Sequence, residues 1–236
     1  FSGSSYAAAV GVYKRINTLL YNEIPATDIR KQWWVDKDLH SDLLNGLTWK
    51  EASGQDIPAY IITDVKVAYV PYTNVKFGMK SGIGSATNDC DWCIMRTEEM
   101  MLIEAEGLAM SNQESQAKSK LETFVKTYRD PDYTCTASTK EALQNEIWKQ
   151  RRIELWGEGF AMADIMRLNK PVVRFHGTDK GNWPDAFCFN VEAGDPYLLM
   201  RIPQKESNNN AGIVNNTGGS KPVSLQNPNL KDGVTD

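Results

Sequence analysis

Apolar positions in the middle of the chain recur every three to four residues, whereas short stretches on either side alternate every second residue. From Arg96 to Met110, Met101, Ala105 and Leu108 share one helical face. From Glu114 to Arg129 the same spacing joins Ala117, Leu121, Phe124, Val125 and Tyr128, and Asp130-Pro131 stops the pattern. Ser138-Thr139-Lys140-Glu141 reads as a capping box opening a third helix that runs to about Trp156. A further helical segment at 160–168 follows the Gly157-Glu158-Gly159 break. Tyr6, Ala9, Val10, Tyr13, Ile16 and Leu20 predict a short helix over 6–20. After Trp34 a polar loop runs through Gly46 to Gly54.

The period of two appears over 60–70. Ile61, Val65, Val67 and Tyr69 face one way and Asp64 and Lys66 the other, which predicts a half-buried strand ended by Pro71. A second short strand is expected at 74–77. Phe187, Phe189 and Val191 alternate, and with 197–202 they flank Gly194-Asp195-Pro196, which predicts a hairpin. The chain closes in Asn-, Gly- and Pro-rich coil. The expected class is mainly α, with tetratricopeptide-like helical hairpins, long irregular loops and a few short β-hairpins. The 34-residue tetratricopeptide signature itself is absent.

Composition narrows the function. The 236 residues are 41% apolar, 24% charged and 10% aromatic, enough for a substantial core. Basic residues number 26 and acidic ones 30, interspersed, for a net charge of −4. With no basic run, nucleic acid is not an expected partner. No stretch approaches the roughly 20 apolar residues of a membrane-spanning helix. The start at Phe1, without initiator Met, signal peptide or lipidation site, reads as a processed product or a piece of something longer. Cys90, Cys93, Cys135 and Cys188 are too scattered for a disulfide scaffold. Cys90-Asp91-Trp92-Cys93 lacks the second ligand pair a zinc site needs, so no metal and no cofactor is expected. The glycines at 78, 82 and 84 do not form a phosphate loop, because Lys80 does not follow a glycine in the required order. His40 and His176 sit in no recognisable triad or metal motif.

The third helix carries the most informative charges. Its apolar stripe begins at Leu143 and Ile147, and the same face continues through Gln150/Arg151, Glu154 and Glu158. Ionisable groups continuing a core stripe must be paired and hydrogen-bonded. Arg151 or Arg152 with Glu154, and Asp164 with Arg167, are the pairs that spacing suggests. A catalytic reading makes Glu154 and Glu158 a general acid/base pair, as in a glycosidase. Neighbouring arginines would lower both pKa values, the wrong direction for an acid, so a structural ion-pair lattice is the better reading.

At these residues a family resemblance emerges. Arg96-Thr97-Glu98-Glu99-Met100-Met101-Leu102-Ile103-Glu104-Ala105-Glu106 resembles the R-x-x-E-M-x-L-I-x-A-E helix of the SusD/RagB family of Bacteroidetes surface lipoproteins. Residues 150–159 resemble its ERR-x-E-L-x-x-E-G segment, with Gln150 where Glu is usual, and Asp164 to Arg167 its D-x-x-R. Ile202-Pro203-Gln204-Lys205-Glu206 and Gln226-Asn227-Pro228 resemble its IP-x-x-E and closing QNP. The order of these motifs over residues 28–230 is what makes the match specific.

The resemblance implies a C-terminal region spanning 1–236. It would comprise a loop- and strand-rich part (1–90), a helical core (91–170) and a hairpin with C-terminal coil (171–236). It implies non-enzymatic capture of an oligosaccharide or glycan at the extracellular face of the outer membrane. Delivery to a TonB-dependent, SusC-like transporter would follow. Membrane attachment would come only through an N-terminal lipid anchor that this chain does not include. The family's binding residues cannot be transferred by motif, so candidates come from chemistry. Sugars dock their apolar faces on aromatic rings, with amides and carboxylates taking the hydroxyls. Loop-borne rings are favoured: Trp49 first, with Asn45 and Asp42 beside it, then Tyr72 and Trp183. Two other readings compete: a helical scaffold for a protein partner, and the Glu154/Glu158 hydrolase.

Overall fold

The computed structural model of the chain describes residues 15–50, 53–58, 70–77, 91, 93–177, 181–216, 218 and 234–235. The chain divides into two compact units, Phe1–Glu154 and Leu155–Asp236.

Three helices form the core of the first unit: α2 (Thr97–Met110), α3 (Glu114–Tyr128) and α4 (Lys140–Glu154), preceded by the short α1 (Thr18–Asn22). Glu98 and Glu99 stand in the first turn of α2, where they complement the helix dipole. Helix α2 is capped at Ser111, and Asn112 takes the left-handed conformation (φ 58°) that reverses the chain into α3. The α4 cap is Thr139, whose Oγ1 accepts from the Ala142 amide at 3.2 Å. The expected box placed that start at Ser138, one residue early.

The three helices bury a common seam. Leu102, Ala105 and Ala109 of α2 meet Ala117, Leu121, Phe124 and Val125 of α3 and Leu143 and Ile147 of α4, with Cys135 in the same cluster. Each fully buried Leu, Ile or Phe side chain contributes on the order of 1.5–3 kcal/mol. Small alanines let α2 approach closely, and Met101 and Leu108 pack at the margin of the seam. Tyr128, expected on the same stripe, is exposed at the end of α3.

The amino-terminal part of this unit differs from the expected helix over 6–20 where it is described. Arg15 bridges Thr73, and the Ile16 amide donates to the Tyr72 carbonyl, so 15–17 is extended. Asn17 then caps α1 by accepting from the Leu19 amide at 2.9 Å. Residues 1–14 and the strand expected over 60–70, apart from Val70, lie outside the described residues, as do the glycines at 78, 82 and 84. The strand expected at 74–77 is reduced to a single bridge, Trp34 to Asn74, supported by Val75 N–H donating to Trp33 O at 2.8 Å. Single-turn 3-10 helices at Ile29–Trp33 and Asp42–Leu44 interrupt the segment before it. The polar loop through Gly46 to Gly54 contains one arm of a hairpin, β1 (Thr48–Lys50) with β2 (Asp56–Pro58).

In the second unit α5 (Ala161–Arg167) follows Gly157 and Gly159, both at positive φ. Strand β3 (Val172–Arg174) pairs antiparallel with β6 (Phe189–Val191), and β4 (His176–Gly177) with β5 (Gly181–Asn182). The hairpin expected between 187–191 and 197–202 does not form. Asp195 caps a 3-10 turn at Pro196–Leu198 by accepting from the Tyr197 amide at 2.7 Å, and Pro196 fixes its first position. Strand β6 pairs with β3 instead. Within the expected terminal coil a short helix, α6 (Gln204–Asn209), follows Pro203. No described helix is long and apolar enough to cross a membrane.

Candidate functional site

Glu154, the last residue of α4, is fully buried (0% exposed) and faces three guanidinium groups. Arg129 spans its carboxylate, Nε to Oε2 at 2.8 Å and Nη2 to Oε1 at 2.9 Å. Arg96 donates to Oε1 at 2.9 Å and, through its other terminal nitrogen, to the Glu154 carbonyl at 2.8 Å. Arg30 reaches Oε2 at 3.4 Å. Lys76 Nζ donates to the same carbonyl at 2.6 Å, so α4 ends on two cations that satisfy an otherwise orphaned acceptor.

Further carboxylates balance these cations. Asp28 grips Arg30, its closest contact being 2.6 Å, and also caps the 3-10 turn on which Arg30 sits. Glu98 accepts from Arg129 at 2.9 Å and lies 3.3 Å from Arg96. Gln150 accepts from Arg30 at 2.7 Å and donates to Glu146 Oε1 at 3.0 Å, where the Tyr133 hydroxyl also donates at 2.9 Å. This explains the amide at position 150: it must accept on one side and donate on the other, which a carboxylate cannot do. Trp33 shields the lattice, with Lys76 at 4.7 Å and Arg129 at 5.8 Å from its ring centre.

Burial alone would raise the Glu154 carboxyl, but hydrogen bonds and charge from Arg129, then Arg30 and Arg96, outweigh it and hold it below its ordinary range. A carboxyl that is inaccessible, saturated and held ionised cannot protonate a leaving group. Glu154 is therefore unsuited to the acid role that the hydrolase reading requires. Its partners also differ from those spacing suggested. The guanidiniums come from Arg30, Arg96 and Arg129, while Arg152 lies over the Trp148 ring at 5.2 Å and Arg151 is buried on α4. Glu158 is half-buried in the second unit, where Arg167 Nε donates to the buried Asp164 at 2.8 Å.

The aromatic candidates fall at separate places. Asp42 and Asn45 are exposed at the ends of one 3-10 turn, joined by Asn45 Nδ2 donating to Asp42 Oδ1 at 3.2 Å. Trp49 follows on β1 opposite Ile57, and its side chain lies outside what is described. Tyr72 is half-buried at φ 67°, its ring edge-on to Tyr21 at 5.2 Å, which makes it a packing residue. Trp183 follows β5 in the second unit, with Arg174 4.6 Å from its ring centre. Of the CxxC pair, Cys93 is an exposed free thiol and Cys90 lies outside the described residues. No group of three or more His, Cys, Asp or Glu side chains converges among the described residues.

The fold has solved relatives. A SusD-like carbohydrate binding protein from Bacteroides vulgatus ATCC 8482 is 26% identical, with a TM-score of 0.55 over 84% of this chain and 41% of its own. A SusD superfamily protein from the same organism shares the fold at 21% identity, with a TM-score of 0.50 over 83% of this chain and 36% of its own. The chain thus spans about two-fifths of the length of the solved relatives it matches. No match was found among curated proteins. The model of the SusD family matches residues 27–218, which takes in Asp28, Arg30, Arg96, Arg129 and Glu154, and the chain belongs to that family.

Proposed function

We propose that this chain forms part of a surface protein that captures an oligosaccharide or glycan without chemical change. The captured glycan passes to a TonB-dependent, SusC-like transporter at the extracellular face of the outer membrane, where a lipid anchor holds the protein. Family membership, with a solved relative described as carbohydrate binding, is the observation that carries this reading. The sealed state of Glu154 supports it, because the carboxylate best placed for hydrolysis is spent on the scaffold. The Asp42–Asn45 turn offers exposed hydrogen-bonding groups a few residues before Trp49, whose residue type suits stacking on a sugar face.

Titration with plant, host and microbial polysaccharides, followed by intrinsic tryptophan fluorescence, tests the proposal. A saturable change with one glycan class, weakened in Trp49→Ala and unaccompanied by new reducing ends, is the expected result. Release of reducing ends, lost in a folded Glu158→Gln variant, would overturn it in favour of a hydrolase. Tight binding of a transporter barrel with no response to any glycan would favour the protein-scaffold reading.

A further inference from the structure

Arg174 stands apart from the arginines of the lattice and from Arg167 of its own unit. Arg30, Arg96, Arg129 and Arg167 each have a carboxylate partner. Arg174 has none among the described residues. Its guanidinium instead lies over two rings, 4.6 Å from the centre of Trp183 and 4.6 Å from that of Phe189. The fold sets this geometry. Arg174 ends β3 directly opposite Phe189 on β6, so both project from the same face of the pair. The Trp183 amide donates to the Phe175 carbonyl at 3.3 Å, which ties the indole to the residue after Arg174.

Ring stacking stabilises a cation but uses none of the five N–H donors of an arginine fork. Burial pushes the Arg174 guanidinium below its ordinary pKa, and no acid among the described residues opposes that shift. The Nε1 donor of the same Trp183 indole is also buried, with no hydrogen-bond partner among the described residues. A desolvated cation, its free donors and an idle indole N–H thus share one place. The missing complement is an anion with planar acceptor geometry, for which a carboxylate fits the guanidinium fork.

We propose that Arg174, with Trp183 and Phe189, docks the carboxylate of an acidic sugar, so that the captured glycan contains uronic acid residues. The proposal rests on the glycan-capture reading and names its ligand class. The net charge of −4 disfavours general attraction of polyanions, so uptake of an acidic glycan must come from a local site.

The test is calorimetric titration of the 236-residue chain with oligogalacturonate, a neutral galactan of matched length and a sulfated galactan. Oligogalacturonate is expected to bind best, and Arg174→Gln to weaken it on the order of tenfold to a hundredfold. Arg174→Lys, which keeps charge but loses the fork, should fall between and serves if the Gln variant does not fold. An uronate affinity unchanged in both variants would overturn the proposal, as would equal binding of the sulfated glycan. Binding of the neutral galactan alone would overturn it while leaving glycan capture standing. Silence with every glycan would sink both.

Discussion

Replacing Glu154 by Gln keeps the shape of the side chain and removes the charge at the centre of the lattice. In the native chain both carboxylate oxygens accept: Oε1 from Arg96 and Arg129, Oε2 from Arg129 and Arg30. An amide offers one oxygen, and its NH2 group would face guanidinium donors. Asp28 still neutralises Arg30 and Glu98 still contacts Arg96 and Arg129, so no cation is stranded alone. Breaking a buried pair from one side costs about 3–5 kcal/mol, and the remaining carboxylates place this case at the lower end, about 3 kcal/mol. Against a total of roughly 5–15 kcal/mol for a typical domain, that loss is large. Urea unfolding followed by far-UV circular dichroism would show it as a lowered midpoint with little change in slope. A loss below about 1 kcal/mol, the size typical of a surface salt bridge, would mean that the lattice does not hold the fold as described.

Other consequences follow from the same geometry. Because the folded Glu154 carboxyl titrates below its ordinary 4.5, its stabilisation is fully present above that value and is lost as pH falls through the folded pKa. Acid melts should therefore steepen below about pH 4.5 in the native chain and less so in Glu154→Gln. Thr139→Ala removes the α4 cap bond and should cost about 1 kcal/mol, visible in the same urea titration; no change would mean the Ala142 amide is satisfied otherwise. Burial, with Glu146 beside it, pushes the Tyr133 phenol far above its ordinary value. Ultraviolet titration of the folded chain near pH 10, where free tyrosines ionise, should give the same amplitude for the native chain and Tyr133→Phe.

The helical core was legible because its signal is local. The three-to-four spacing of Ala117, Leu121 and Val125 is the same feature that packs them against α2 and α4. Spacing could also show that Glu154 continues an apolar stripe and must be compensated. It could not show by what, since Arg30, Arg96 and Arg129 lie 124, 58 and 25 residues away. Nearby Arg151 and Arg152 were the natural but incorrect partners. The hairpin at Gly194-Asp195-Pro196 failed for a related reason. Alternation at Phe189 marks a strand without naming its mate, and the Asp195 cap turns the chain aside before 197–202 can return. Arg174 carries no sequence signal at all, because its rings reach it only through strand register and the turn after β5.

Capture without chemistry is tested most directly by recovering the ligand. The chain would be incubated with defined oligosaccharides, bound sugar separated from free by equilibrium dialysis, and both pools sized by mass spectrometry. Capture alone would enrich one glycan class in the protein compartment, every recovered chain at its starting length. Shortened products that accumulate with time and protein concentration would contradict it.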